Sequence, residues 1–213
     1  AGLSDPRVKF DPISRRWFIS IITVDTTNRV LFAVSSGPNI TSTSSFTFFA
    51  FAATAGGGAE PQTPFADYDT MGIDAKGVYF GVNMFNTAGT AFLGSTVFVI
   101  NKANLLAATP TLSVTAFRQL NNGTGAGAST PYVGDNDDPA ATEAYLVGVD
   151  NANTGLLVVR KITGADTAGT FTARHDKWVA LPYNSLTALT ISGKTLGTDY
   201  ALEMEAGLIK VLS

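Results

Sequence analysis

Arg16-Trp-Phe-Ile-Ser-Ile-Ile-Thr-Val24, Asp25-Thr-Thr-Asn28 and Arg29-Val-Leu-Phe-Ala-Val-Ser35 follow one another in the chain. The first and third are β-branched and aromatic runs, and the second is a short polar connection, so together they predict a β-hairpin. Gly37-Pro38-Asn39 breaks the second arm. Phe46, Phe48 and Phe51 belong to the next strand; Phe46 and Phe48 alternate but Phe49 does not, so both faces of that strand are expected to be covered. Gly56-Gly-Gly-Ala-Glu-Pro-Gln-Thr-Pro64 reads as a loop.

The same logic continues outward. Gly77-Val-Tyr-Phe-Gly-Val-Asn-Met-Phe85 and Gly94-Ser-Thr-Val-Phe-Val-Ile-Asn101 predict a second hairpin, turning near Asn86-Thr-Ala-Gly89. Lys102-Ala-Asn-Leu-Leu-Ala-Ala108 predicts one short helix, and Leu112 to Leu120 a strand. Asn121 to Ser129 reads as a loop. Ala144 to Asp150 and Gly155 to Ile162 form a third hairpin around Asn151-Ala-Asn-Thr154. Phe171 to Pro182 and Leu186 to Ile191 carry weaker strand signals, and Ala201 to Leu212 suits helix or strand.

Composition narrows the function classes. The chain has 213 residues, 45% hydrophobic and 15% charged, with net charge −3, no cysteine and one histidine. That length suits one domain with a core large enough to need no staples. High apolar content with low charge excludes intrinsic disorder. The missing cysteines exclude a disulfide scaffold and a thiolate zinc site, and the acidic balance argues against a nucleic-acid partner. Phe46-Thr-Phe-Phe-Ala-Phe-Ala-Ala53 is the most apolar run and is far shorter than the ~20 residues of a spanning helix, so no membrane span is expected. No signal peptide is visible, and the start Ala1-Gly-Leu-Ser, without methionine, suits a processed or trimmed product. Threonine makes up roughly one residue in eight, and the stretches 30–59, 77–101 and 119–134 carry no charge. Such a composition is associated with extracellular and cell-surface β domains and with filament or capsid subunits.

Hairpins at regular distance suggest a repeat. Asp5-Pro-Arg-Val-Lys-Phe-Asp11 followed by Arg16-Trp-Phe can be laid on Asp67-Tyr-Asp-Thr-Met-Gly-Ile-Asp74 followed by Val78-Tyr-Phe, an offset of about 62 residues. A degenerate third copy begins near Pro131-Tyr-Val-Gly134. The chain is therefore read as a single domain, 1–213, of three units near 5–66, 67–130 and 131–213. One such unit per four-stranded sheet is the arithmetic of a β-propeller blade, although a closed propeller usually takes four to eight. A β-sandwich is the alternative.

These same segments, with Val30-Leu-Phe-Ala-Val-Ser35, Phe65-Ala-Asp-Tyr-Asp69 and Asn83-Met-Phe85, resemble a group of largely uncharacterised bacterial extracellular propeller-like domains. The group's usual forms are D-P-x-V-x-Y-D with R-W/F-F, and D-Y-P-x-x-G-x-D with N-M-F. The similarity runs to about Leu106. Here Phe10 replaces the usual Tyr, and Asp69 the usual Pro. The resemblance implies a propeller-like fold and carries no catalytic residue.

Candidate chemistry is sparse. His175 stands among charged neighbours and is expected on a surface turn without a catalytic role; no Gly-x-Ser-x-Gly elbow accompanies it. Asp135, Asp137 and Asp138 form the densest acidic cluster, a candidate calcium loop if not simply solvated. Asp5, Asp11, Asp67, Asp69 and Asp74 recur in the repeat. Paired carboxylates are what propeller glycosidases use, but Asp ahead of a turn ordinarily binds its own backbone. Asp67, Tyr68, Asp69, Asn83 and Phe85 are the candidate ligand-binding set, Phe85 offering a stacking surface. The pairs Arg15-Arg16 and Arg160-Lys161 are too isolated for nucleic acid. The expected function is a non-enzymatic extracellular binding or adhesion module for a carbohydrate or protein surface. A filament, sheath or capsid subunit that meets identical subunits, and a carbohydrate-active propeller enzyme, are the alternatives.

Overall fold

The computed structural model describes residues 2–57, 64–120, 128–150, 156–166, 172–180, 189–191, 194–196, 202–205 and 208–211. The fold is all-β and antiparallel. β1 (Leu3–Asp11), β2 (Arg16–Thr23), β3 (Arg29–Ser35) and β4 (Phe46–Ala52) form a first sheet in chain order. β5 (Pro64–Ile73), β6 (Gly77–Asn86), β7 (Phe92–Asn101) and β8 (Val114–Phe117) form a second, with the short helix α1 (Lys102–Leu106) between its last two strands. β9 (Ala128–Val133), β10 (Glu143–Asp150), β11 (Leu156–Thr163) and β12 (Thr172–Ala180) form a third. Two hairpins follow: β13 (Leu189–Ile191) with β14 (Lys194–Leu196), and β15 (Leu202–Glu205) with β16 (Leu208–Val211). The described part of the ambiguous 201–212 segment is strand. Of the loop read at 121–129, positions 121–127 lie outside the described residues and 128 and 129 belong to β9, so the strand starts earlier than expected; the connection read at 151–154 also lies outside the described residues. Among the described residues no helix is long and apolar enough to cross a membrane.

Local chemistry accounts for the turns. Asp11 ends β1 and accepts the amides of Ile13 and Ser14, both at 3.2 Å, and the Ser14 hydroxyl. Asp74, directly after β5, acts in the same way and accepts the amides of Lys76 and Gly77, both at 2.7 Å. The Asn101 side chain caps α1 through the amides of Ala103 and Asn104, satisfying donors that a helix start leaves open.

The sheets are layered. Phe18, Phe32 and Phe51 of the first sheet meet Met71, Phe80 and Phe98 of the second in one core. Phe51 lies 5.0 Å from Phe98, and Phe32 lies 5.3 Å from Phe80, between ring centroids. The opposite face of the second sheet presents Tyr79, Val97 and Val99 to Val133, Leu146 and Ile162 of the third. Gly72 and Gly81 let β9 come close, for a β-carbon at either would collide with the carbonyl of Val133 or Pro131. A buried ion pair joins the first sheet to the helix between β7 and β8: Lys102 Nζ of α1 lies 2.9 Å from Asp11 Oδ2.

Two expectations are corrected. The outer face of β4 is not covered among the described residues: Phe49 and Phe51 turn into the core, and Phe48 stands 67% exposed. His175 lies within β12, paired across the ladder with Arg160, and not on a turn; strand pairing overrides the polarity of its neighbours.

Candidate functional site

Each sheet opens with a kinked first strand. Asp5, Tyr68 and Thr130 have φ of 54°, 53° and 53°, a left-handed conformation that L-residues adopt at a cost. The ladders shift register at the same places, between Ser4 and Arg7, between Asp67 and Thr70, and opposite the Val147–Val149 step. These are β-bulges, which bend a strand and re-aim its side chains. They give the repeat its offset: Asp5-Pro6, Tyr68-Asp69 and Thr130-Pro131 are equivalent. Asp5 therefore matches Tyr68, one residue past the Asp67 on which the sequence alignment laid it, while Asp11 does match Asp74. Asp69 occupies the place of the proline in the other two sheets.

The bulged strands draw together. Arg7 Nε donates to the Asp69 carbonyl at 2.7 Å, and its guanidinium lies 5.0 Å from the Tyr68 ring centroid. Lys9 reaches from β1 to the third sheet, donating to Tyr132 Oη at 2.7 Å and pairing with Asp135 at 2.5 Å. Its ammonium also lies 5.0 Å from the Tyr132 ring centroid. Tyr68 is 42% exposed. The terminal amino groups of Arg7 make no hydrogen bond to other described residues. The result is one cluster of two cations, two phenols and a carboxylate, drawn from three sheets. Burial pushes the Tyr132 hydroxyl above its ordinary range, against the opposing effect of Lys9.

The predicted residues divide around this cluster. Tyr68 belongs to it. Asp67 adjoins it on β5, opposite Asn83 in the ladder. Asn83 fastens the second sheet to the third: its Oδ1 accepts the Thr130 amide at 2.6 Å, and its Nδ2 donates to Thr130 Oγ1 at 3.2 Å. Asp69 lies beneath the surface, 0% exposed. Its Oδ2 accepts the Ser20 hydroxyl at 2.7 Å, while Oδ1 is buried without a partner. Burial pushes the Asp69 carboxyl up to about 6; the Ser20 hydrogen bond and Arg7 oppose this, and Asp5 adds to it. Phe85 sits at the far end of β6, in edge contact with Phe92 at 5.7 Å.

The acidic loop is pulled apart by its neighbours. Asp135 gives one oxygen to Lys9 and the other to the Ile73 amide at 2.9 Å. Asp138 accepts the Ala140 amide within its own turn, and Asp137 is exposed. No group of three or more acidic or histidine side chains is gathered for a metal among the described residues. Arg160 is buried in the contact between the second and third sheets, so it presents no surface charge to nucleic acid.

Sequence reasoning passed over Arg7, Lys9 and Tyr132 as site residues. The alternation of Arg7 and Lys9 with Val8 and Phe10 is a visible signal that the two cations share one face of β1. Their partner Tyr132 lies 123 residues from Lys9, a separation that no local pattern spans. Comparison with protein-family models, curated proteins and solved structures gives no match.

Proposed function

We propose that this chain is a propeller-like β module that binds a carbohydrate or protein ligand outside the cell or at its surface, through the cluster where β1, β5 and β9 meet. The observation that carries the reading is Lys9 reaching Tyr132 and Asp135 from the first sheet to the third. Packed sheets lie ~10 Å apart, so a straight stack would hold β1 and β9 roughly 20 Å from each other. A lysine and a tyrosine meeting across that gap favour a fan with the first strands inside, as in a propeller, over a flat sandwich. Ligands enter such folds where a few polar groups converge on an apolar or aromatic wall. Arg7 supplies a planar donor suited to carboxylate or sulfate, and the partly exposed Tyr68 ring lies against it. The low-charge, threonine-rich composition supports a surface or extracellular setting. The enzymatic alternative rests on the recurring aspartates; Asp69 among them is fully buried and its carboxyl is pushed up to about 6 by that burial, which favours a structural role for it over that of a general acid.

The test is calorimetric titration of the full chain with a panel of neutral and uronic-acid oligosaccharides. Binding of an acidic member, weakened at least about tenfold by Arg7→Ala and by Tyr68→Ala without a change in unfolding temperature, supports the site. No binding across the panel, or binding that both variants retain, overturns it.

A further inference from the structure

In two of the three bulges the residue after the left-handed position is a proline, Pro6 or Pro131; in the second sheet it is Asp69. A carboxylate taken out of water needs its oxygens paired. Asp69 meets that need by half: Oδ2 accepts the Ser20 hydroxyl, and Oδ1 is buried without a partner. A neutral carboxyl is the form this surrounding suits. The cation that acts on Asp69 is Arg7, whose Nε is already fastened to the Asp69 carbonyl. Arg7 is also the cation that lies against the partly exposed Tyr68 ring. One guanidinium thus stands between a buried carboxyl below and the ligand side of the cluster above.

We propose that Asp69 is a proton switch for this site: its neutral carboxyl leaves the Arg7 guanidinium to an acidic ligand, and its carboxylate competes with that ligand for the same cation. The inference rests on the reading of the cluster as a binding site. Asp69 touches no ligand; it is a positioning residue that acts through Arg7. The groups around it fix the direction. Burial holds the proton on Asp69; from β1, Arg7 opposes this and Asp5 adds to it. Lys9, two residues further on, is engaged by Tyr132 and Asp135. β2 offers the neutral Ser20, and its Arg16 reaches the Ser35 carbonyl instead. Asp67 and Tyr68 stand beside Asp69 on β5. β6 brings no charged side chain, and its Tyr79 bonds Asp74. β9 brings Tyr132, whose hydroxyl burial pushes up. The carboxyl therefore loses its proton at about 6, and acidic ligands bind more tightly below that pH than above it. Linkage is reciprocal, so a bound anion in turn favours the protonated form of Asp69.

The experiment is calorimetric titration of the full chain with a uronic-acid oligosaccharide at about pH 5 and about pH 7.5, a range in which the sugar carboxyl stays ionised. The expected affinity is at least about fivefold higher at the lower pH, the span of an ordinary coupling between sites. Asp69→Asn, which is neutral throughout, binds at both pH values with the affinity of the acid form. His175→Gln, which removes the one histidine of the chain, keeps the pH dependence. Should Asp69→Asn fail to fold, the Nε–H resonance of Arg7 in the unmodified chain without sugar decides, identified by its loss in Arg7→Lys. A shift of that resonance with a midpoint near the Asp69 value of about 6 supports the switch, and a flat response overturns it. Equal affinity at the two pH values, or a dependence that Asp69→Asn retains or His175→Gln removes, leaves the site standing and overturns the switch alone. No binding at either pH overturns the reading of the site and the switch with it.

Discussion

In the second sheet, Phe80 and Phe98 point into the contact with the first sheet, while Tyr79, Val97 and Val99 point into the contact with the third. In the first sheet, Phe18, Phe32 and Phe51 point inward, and Phe48 on the other side meets solvent. Both sheets are four-strand meanders with apolar residues on both faces. The difference lies in what stands next to them. A strand that is apolar on both sides reports that its sheet is suited to a middle layer, not that it occupies one. The bulges add a second contrast. At equivalent positions the first and third sheets place Pro6 and Pro131, and the second places Asp69. A buried carboxyl with one unpartnered oxygen has replaced a residue that carries neither charge nor amide.

The largest expected break in the layering is Lys102→Met. It leaves the Asp11 carboxylate buried with only the donors of its own turn, and removing one member of a buried pair costs about 3–5 kcal/mol. Denaturant unfolding measures this. Adding Asp11→Asn should recover most of the loss, and failure to recover would show that Lys102 acts by packing.

The Asp69 contrast is sharpened by pH. The folded carboxyl titrates at about 6, above its ordinary value of 3.8, so the folded state holds a proton that the unfolded chain releases. Stability is therefore fully present below about pH 4, falls as pH rises to about 6, and stays lower above it, by about 3 kcal/mol. Asp69→Asn should flatten that slope and be the more stable protein at pH 7. Parallel stability curves from pH 3 to 8 would refute the assignment.

A smaller effect is expected between the second and third sheets. Gly81→Ala forces a methyl group onto the Pro131 carbonyl, and overpacking of this kind costs about 1–3 kcal/mol. Hydrogen exchange should quicken in β9 to β11 more than in β1 to β4; Gly37→Ala, with open space around it, is the neutral control. The smallest change is Phe48→Lys, expected to alter the stability of the isolated chain by about 0.5 kcal/mol or less. A loss comparable to that of a core phenylalanine would mean that its face is covered in solution.

The hairpins at 16–35, 77–101 and 144–162, the short helix at 102 and the roles of Asp11 and Asp74 at turns were legible locally, because each depends on residues within a few positions. The cluster at β1, β5 and β9 was half legible. Tyr68 stood out, and so did Asp67 beside it, but Arg7 and Lys9 were hidden inside a motif read for its aspartates. Asn83 was legible as a polar residue in an apolar strand, yet its partner is the Thr130 backbone on another sheet. The reading of Asp5 against Asp67 failed by one residue because a bulge inserts an extra position, and sequence alignment does not see where a strand bends.

By itself the sequence determined an all-β chain of antiparallel hairpins and its repeat of about 62 residues, since alternation, turn residues and period are properties of neighbouring positions. Tertiary structure decided which apolar faces are covered, that Asp135 serves Lys9 and the Ile73 amide, and that Asp69 lies buried beneath the exposed Tyr68. Those outcomes depend on contacts between residues about 45 to 130 positions apart, and burial and pairing at that range follow from how sheets stack, which no stretch of the chain encodes alone.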